Sequence, residues 1–180
     1  ESMEDPRVNN GDRTLILLCE EGVEEYDPSA FASPNVWIET IDNEEDLTPD
    51  ALQGLLDRHN CVRVIVEYNG MWLLDTLFQQ MPQNWIIAQE YLFCDANSFV
   101  SYNANMRQLV YDKLKTCELV VFNRCGDTVD RMALHKIVRA VSRRADIAYE
   151  KPDGSVEYDE IEDPLPFDLD APVVDIADRD

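Results

Sequence analysis

The chain is poor in cations, poor in histidine and lacks a phosphate-binding glycine loop, and each shortage removes a class of function. Only 15 lysines and arginines stand against 37 acids in 180 residues, a net charge of −22. DNA, RNA and anionic membranes need clustered basic side chains. The one compact basic group, Arg139, Arg143 and Arg144, falls where the last turn of a helix is expected and complements its dipole. Partners of those kinds are therefore not expected. The two histidines, His59 and His135, lie in predicted helices, which argues against a histidine-based metal site. Five cysteines are scattered without a C-x-x-C pair, so neither a disulfide framework nor a zinc knuckle is indicated. Four of them sit in or beside apolar runs, the habit of reduced, buried thiols. The given sequence reads without a signal-peptide pattern or an apolar run of spanning length, from which a cytoplasmic protein without a leader is expected. The phosphate-cradling pattern G-x-x-x-x-G-K-[ST] does not occur.

What is present is a globular composition, 45% apolar, in a length that one domain can fill. The charge is uneven, because residues 150–180 hold twelve acids against Lys151 and Arg179, a balance of about −10. The stretch Arg63 to Trp72, RVIVEYNGMW, is the one around which the rest is organised. Val62 to Val66 is too short for a helix and apolar on both faces, as a strand covered on both sides requires. It predicts a central parallel strand ending at Glu67, with Gly70 following and a helix from Met71 to Gln80.

Taken in order, ESMEDPRVNNGDR resembles a helix end and its exit turn, which predicts an element upstream of Glu1. Thr14 to Cys19 and Asn35 to Ile41 read as strands. Thr48 is a good helix N-cap with Pro49 at the first position, ahead of an apolar stripe of Leu52, Leu55 and Leu56. Trp85 to Cys94 reads as a strand, Asn97 or Ser98 as the cap of a helix running to about Leu114, Leu119 to Phe122 as a strand, and Val129 to Ser142 as a helix. Alternating strands and helices predict an α/β fold with a doubly wound, mainly parallel sheet. Pro152-Asp153-Gly154 between two alternating runs predicts a β-hairpin. Residues 1–150 are thus expected to form the α/β domain, and 151–180 the remainder of the hairpin and an acidic, Pro-rich arm or linker.

Three strand ends carry groups of one kind: Glu20, Glu21, Gly22 and Asp27 after the first strand, Glu67 and Gly70 after the central one, and Asn123 and Asp127 after the last. Magnesium takes carboxylate and water oxygens, a glycine lets backbone amides approach a phosphate, and an asparagine with an acid can bind a guanine edge. In this order the segments resemble the nucleotide-binding domain of the CobW-like metallochaperone GTPases, of the wider P-loop class with the HypB and UreG types, beginning after its first strand, P-loop and first helix. Cys19-Glu20-Glu21-Gly22 through Asp27 is similar to the family's N-E-x-G-x-x-x-x-D, and Val64 to Gly70 to its switch II strand ending E-x-x-G. Phe93-Cys94-Asp95-Ala96 is similar to its V-D-A, Asn123-Arg124-Cys125 to the start of its N-K-x-D, and Ala145 to Tyr149 to the segment after its last helix. The resemblance covers about residues 10–150.

It implies GTP and magnesium as cofactors of the intact protein, with Glu67 and Gly70 catalytic, Glu20, Gly22, Asp27, Asn123, Arg124 and Asp127 binding the nucleotide, and Glu20 and Glu67 near the metal. Two departures qualify it. The family's C-x-C-C motif should fall near Ile38 to Leu47, where this chain reads IETIDNEEDL, which argues against zinc or cobalt delivery. Gly126 stands where the base-reading Asp belongs, and Asp127 is one place late. Each residue also has a plainer reading: Glu67 as a helix cap, Glu21, Glu24 and Glu25 as a solvated charge run, Asn123 as a turn residue, Asp42 to Asp46 as a solvated loop. Two functions follow. The chain is part of a slowly hydrolysing GTPase and is itself nearly inactive, or it is a non-enzymatic GTPase-like module that engages a protein client or a second copy of itself.

Overall fold

A computed structural model describes residues 11–19 and 35–163. The fold is α/β with mostly parallel strands, as expected, but the strands fall into two sheets rather than one. The first contains β1 (Thr14–Leu18), β2 (Val36–Thr40) and β3 (Arg63–Glu67) in the order β2-β1-β3, all parallel, with Ile16 opposite both Ile38 and Ile65. The second has β4 (Tyr91–Asp95), β5 (Leu119–Asn123), β6 (Asp146–Glu150) and β7 (Val156–Tyr158) in sequential order, parallel except for β7. The hairpin around Gly154, which takes φ +83, joins β6 to β7 as the turn residues require.

The strand expected at the centre, β3, lies at the margin of its sheet, and β1 takes the middle. Burial follows position rather than composition. The flanked strands β1 and β5 are mostly buried, whereas β3 and β4, no less apolar, are half-exposed, and Phe93 keeps 64% of its surface. Strand β4 also begins later than the apolar run suggested. Trp85 to Glu90 carries no strand pairing, and Ile86 is 90% exposed.

Helix α1 (Pro49–Arg58) starts where Thr48 and Pro49 predict, with the Thr48 hydroxyl accepting from Ala51 N–H at 3.2 Å. Helix α2 (Leu74–Gln80) begins three residues later than expected. The Asn69 side chain accepts from Met71 N–H at 2.8 Å and closes a turn that competes with the first helical turn. The single helix expected up to Leu114 is broken at Met106, whose φ −126, ψ 43 separates α3 (Phe99–Asn105) from α4 (Arg107–Leu114). Helix α5 (Arg131–Val141) is capped by Asp130, which accepts from Ala133 N–H at 3.1 Å.

Each sheet has its own core. Leu17, Cys19, Ile41, Leu47 and Leu52 fill one, with Val64, Val66, Trp72 and Trp85 against them. Phe99, Phe122, Leu134, Val138 and Tyr149 fill the other, Phe122 meeting Phe99 edge-on at 5.0 Å and stacking on Tyr149 at 6.0 Å. The halves are joined where α2 meets α4. The Asp112 carboxylate, 6% exposed, accepts from Leu74 N–H at 2.8 Å and faces Lys113 and Lys115, each at 3.6 Å. Lys113 also donates to the Trp72 carbonyl, and Lys115 pairs with Asp75 at 3.0 Å. No helix of the described residues is long and apolar enough to cross a membrane.

Removing the Asp112 carboxylate leaves a buried amide and two lysines without their partner, a loss of about 1–3 kcal/mol. The Asp75 pair is more than half exposed on the acid side and contributes less than about 1 kcal/mol. Urea denaturation should therefore rank Asp112→Ala well below the parent in stability and Asp75→Ala close to it. Equal effects would contradict this account of the junction.

Candidate functional site

Of the residues singled out in the sequence, Glu67 ends β3 of the first sheet with Gly70 after it, and Asn123 ends β5 of the second with Arg124 and Asp127 after it. Glu20, Gly22 and Asp27 lie outside the described residues, as do Glu21, Glu24 and Glu25. Glu67 ends β3 with an exposed side chain, and its carbonyl accepts from Cys19 N–H at 2.8 Å, which extends the β1–β3 ladder by one residue. Gly70 sits in the turn that Asn69 closes. It takes no positive φ and a side chain there would meet open space, so the local backbone makes no demand for glycine.

The second group, at the carboxyl ends of β4 and β5, is built from short-range geometry. Parallel pairing sets Asp95 beside Asn123, and Ala96 N–H donates to the Asn123 carbonyl at 3.0 Å. Arg124 then turns the chain in the left-handed region, φ +52, and its guanidinium meets Asp95 at 2.7 Å. Asn97 completes the ring: its backbone N–H and side-chain amide both donate to Asp95, at 2.9 and 3.2 Å, and the amide also donates to the Arg124 carbonyl at 3.0 Å. The Asn97 bonds, with Arg124 beside it, hold the Asp95 carboxyl below its usual range. Asp127 is exposed in the loop beyond, away from this ring of contacts. The Asn123 side-chain oxygen is buried and has no hydrogen-bond partner. An orphaned buried acceptor of this sort costs about 1–3 kcal/mol and is poised for a ligand donor.

Glu67 and this group thus belong to different sheets. Tyr68, directly after Glu67, has the Lys113 ammonium 5.4 Å from its ring and donates its hydroxyl to the Leu73 carbonyl at 2.7 Å. Lys113 belongs to the last turn of α4, one short loop before β5 begins. Asn123 is at the far end of β5, about 13 Å further at 3.3 Å per residue. The segment after Glu67 therefore touches the end of α4 that leads into β5, while Asn123 ends β5 and Arg124 follows it.

The acidic loop Asp42 to Asp46 forms a single 3-10 turn over Glu44–Asp46, with the Asn43 amide donating to Asp46 at 3.2 Å. It borders an open cleft of about 670 Å³ that Trp72, Thr76 and Gln80 line from the other side. Among the described residues no group of three or more His, Cys, Asp or Glu side chains is arranged to hold a metal ion.

Two features escaped the sequence reading. The Asp95–Asn97–Arg124 ring was signalled only by the D-A-N spacing, which is common in turns. The second is the partnering of both histidines. His59 lies 2.8 Å from Glu39 and stacks on Trp37, and His135 is held between Asp159 and Asp163. No family model, no curated protein and no solved structure matches the chain.

All five cysteines are free, and burial pushes Cys94 up to about 12 and Cys19 and Cys117 to about 11. Alkylation of the folded protein at pH 8 should run at least about a hundredfold slower at these three than at an exposed thiol, since thiolate is the reacting form. Mass spectrometry after a timed iodoacetamide pulse reads this directly. Labelling of Cys94 at the rate seen in urea would show that β4 opens readily.

Proposed function

We propose that the chain is the part of a CobW-like GTP-binding domain that follows the P-loop, and that the intact protein binds GTP with Mg²⁺ and hydrolyses it slowly. The observation that carries this reading is the carboxyl end of β5, where a buried Asn123 oxygen lacks a donor beside an Arg124 fixed by Asp95. A purine edge supplies donors for such an acceptor, and a guanidinium plane stacks along a base. Ligands of open α/β sheets bind at carboxyl ends. Parallel strands joined by helical crossovers are the framework such a domain requires, and the described connections from β2 to β3, β4 to β5 and β5 to β6 have that character.

Phosphoryl transfer depends on positioning and on neutralising phosphate charge. The sequence has no G-x-x-x-x-G-K-[ST] loop, and the segment after Glu67 is docked on α4. The 180-residue chain by itself is therefore catalytically silent in this reading. Zinc or cobalt is not part of the proposal, since the cysteine motif is replaced by acids at Asp42 to Asp46.

A second reading is favoured by one observation. The β4 margin exposes Tyr91 and Phe93, with Ile86 and Ile87 just before it. An apolar strand margin suits a protein partner or a second copy of the chain, and the protein would then be a non-enzymatic interaction module. Light scattering that gives a clean monomer counts against self-association.

The deciding measurement is a fluorescent-GTP titration with Mg²⁺ of this chain beside the same chain extended by the residues encoded ahead of Glu1. The extended form is expected to bind, the 180-residue chain not, and Asn123→Ala in the extended form to weaken binding about tenfold, the worth of one hydrogen bond. A folded extended form that binds no GTP would overturn the GTPase reading.

A further inference from the structure

Outside the nucleotide reading, the most complete polar assembly in the molecule surrounds His135, in the middle of α5. Its side chain is 2% exposed and stands between two carboxylates. Nδ1 lies 2.6 Å from Asp159 Oδ2, and Nε2 lies 2.8 Å from Asp163 Oδ1. A neutral imidazole has one N–H and one lone pair, so it can satisfy only one of two ionised carboxylates and sets its lone pair against the other. The imidazolium donates to both.

The surroundings fix the carboxylates in place. Tyr149 of β6 donates its hydroxyl to Asp159 Oδ1 at 2.7 Å, and Asp159 N–H donates to the Ile147 carbonyl at 2.8 Å. Arg139, one turn along α5, reaches Asp163 at 3.4 Å, and the charge of Arg143 also acts on it. On the other side Arg131 lies 4.6 Å over the Tyr149 ring and pairs with Glu157 at 2.8 Å, which Lys151 also holds, at 2.6 Å. The segment from Asp159 to Asp163 leaves the margin strand β7, and the described residues give it no further strand pairing. Its attachment to α5 therefore runs through His135, with the long Arg139 contact as the other link.

We propose that His135 is a protonation-dependent latch: while its ring carries two protons it clamps the exit segment Asp159–Asp163 onto α5 and β6, and loss of one proton releases Asp163. The release is directional. Asp159 is 4% exposed and tied to Tyr149 as well, whereas Asp163 is 47% exposed, so the Nε2 contact opens first.

The electrostatics agree in sign. Burial opposes the charge on His135, but the two carboxylates outweigh it and raise its pKa above the ordinary value. His135 in turn holds the Asp163 carboxyl below its usual range. A raised histidine contributes stability that is fully present below its unfolded value, near 6.5, and is lost as pH rises through the folded one. A depressed carboxyl contributes stability present above its unfolded value and lost as pH falls through the folded one. The latch is thus closed between the lowered pKa of the Asp163 carboxyl and the raised one of His135, and opens on either side.

The test is an NMR titration of the full 180-residue chain from pH 5 to 9. It follows the ring nitrogens of His135 and, by hydrogen exchange corrected for its intrinsic pH dependence, the protection of the Asp159 to Asp163 amides. Both ring nitrogens should be protonated at pH 6.5, and protection should fall on the order of tenfold per pH unit above the ring's midpoint until the segment is free. Asp163→Asn, an exposed change that leaves the core intact, should lower the ring midpoint and carry the loss of protection down with it. His135→Gln, if it folds, should abolish the pH dependence. A ring that is neutral at pH 6.5 would overturn the latch. So would protection that ignores the ring's titration, or an Asp163→Asn midpoint equal to the parent's.

Discussion

One buried carboxylate sets the arrangement of the whole described structure. Asp112 closes the last turn of α4 by binding the first amide of α2 and facing two lysines. The two sheets share no strand pairing, so this small polar junction, rather than a continuous ladder, decides how they meet. A buried carboxylate tolerates few geometries, because each lost donor leaves a charge unsolvated. The junction ties the segment after β3 to the helix that leads into β5.

The scarcity of cations shapes the rest. With 15 basic residues against 37 acids, several of the described cations bridge separate segments of the chain. Arg58 reaches Glu39, Arg124 reaches Asp95, Arg131 and Lys151 share Glu157, and Lys115 reaches Asp75. These pairs are partly or fully exposed, and each contributes at most about 1 kcal/mol. Their effect is to orient chain ends and loops. The buried groups matter more, and both His135 and Asp112 lie where an element must be fastened to a neighbour.

Against that background the carboxyl end of β5 stands out because its polar groups are only partly satisfied. Asp95, Asn97 and Arg124 saturate one another, while the adjoining Asn123 oxygen is left without a donor. The exposed apolar margin of β4 is the other unsettled surface. A nucleotide and a polypeptide partner would each relieve a different one of these.

Local pattern was enough to find the elements. The strands at Thr14, Val36, Arg63 and Leu119, the cap at Thr48, the hairpin at Gly154 and the α/β class all follow from apolar runs, turn residues and short-range hydrogen bonds. These depend on neighbours within a few residues and so are written in the chain order. The errors have equally physical causes. Asn69 diverted the first turn of α2, Met106 broke a helix whose apolar pattern ran on, and Trp85 to Glu90 found no partner strand despite its composition. For the candidate site, the residue types at Glu67, Asn123, Arg124 and Asp127 were legible, but their separation was not. Backbone hydrogen bonds between strands are indifferent to side chains, so apolar runs could not say that β1 would take the centre and β3 and β4 the margins. Nor could they say that His135 would find two carboxylates more than twenty residues away. By itself the sequence determined which segments become strands and helices; tertiary structure alone decided which of them are neighbours, because that choice rests on burial and charge pairing between parts of the chain that no local pattern connects.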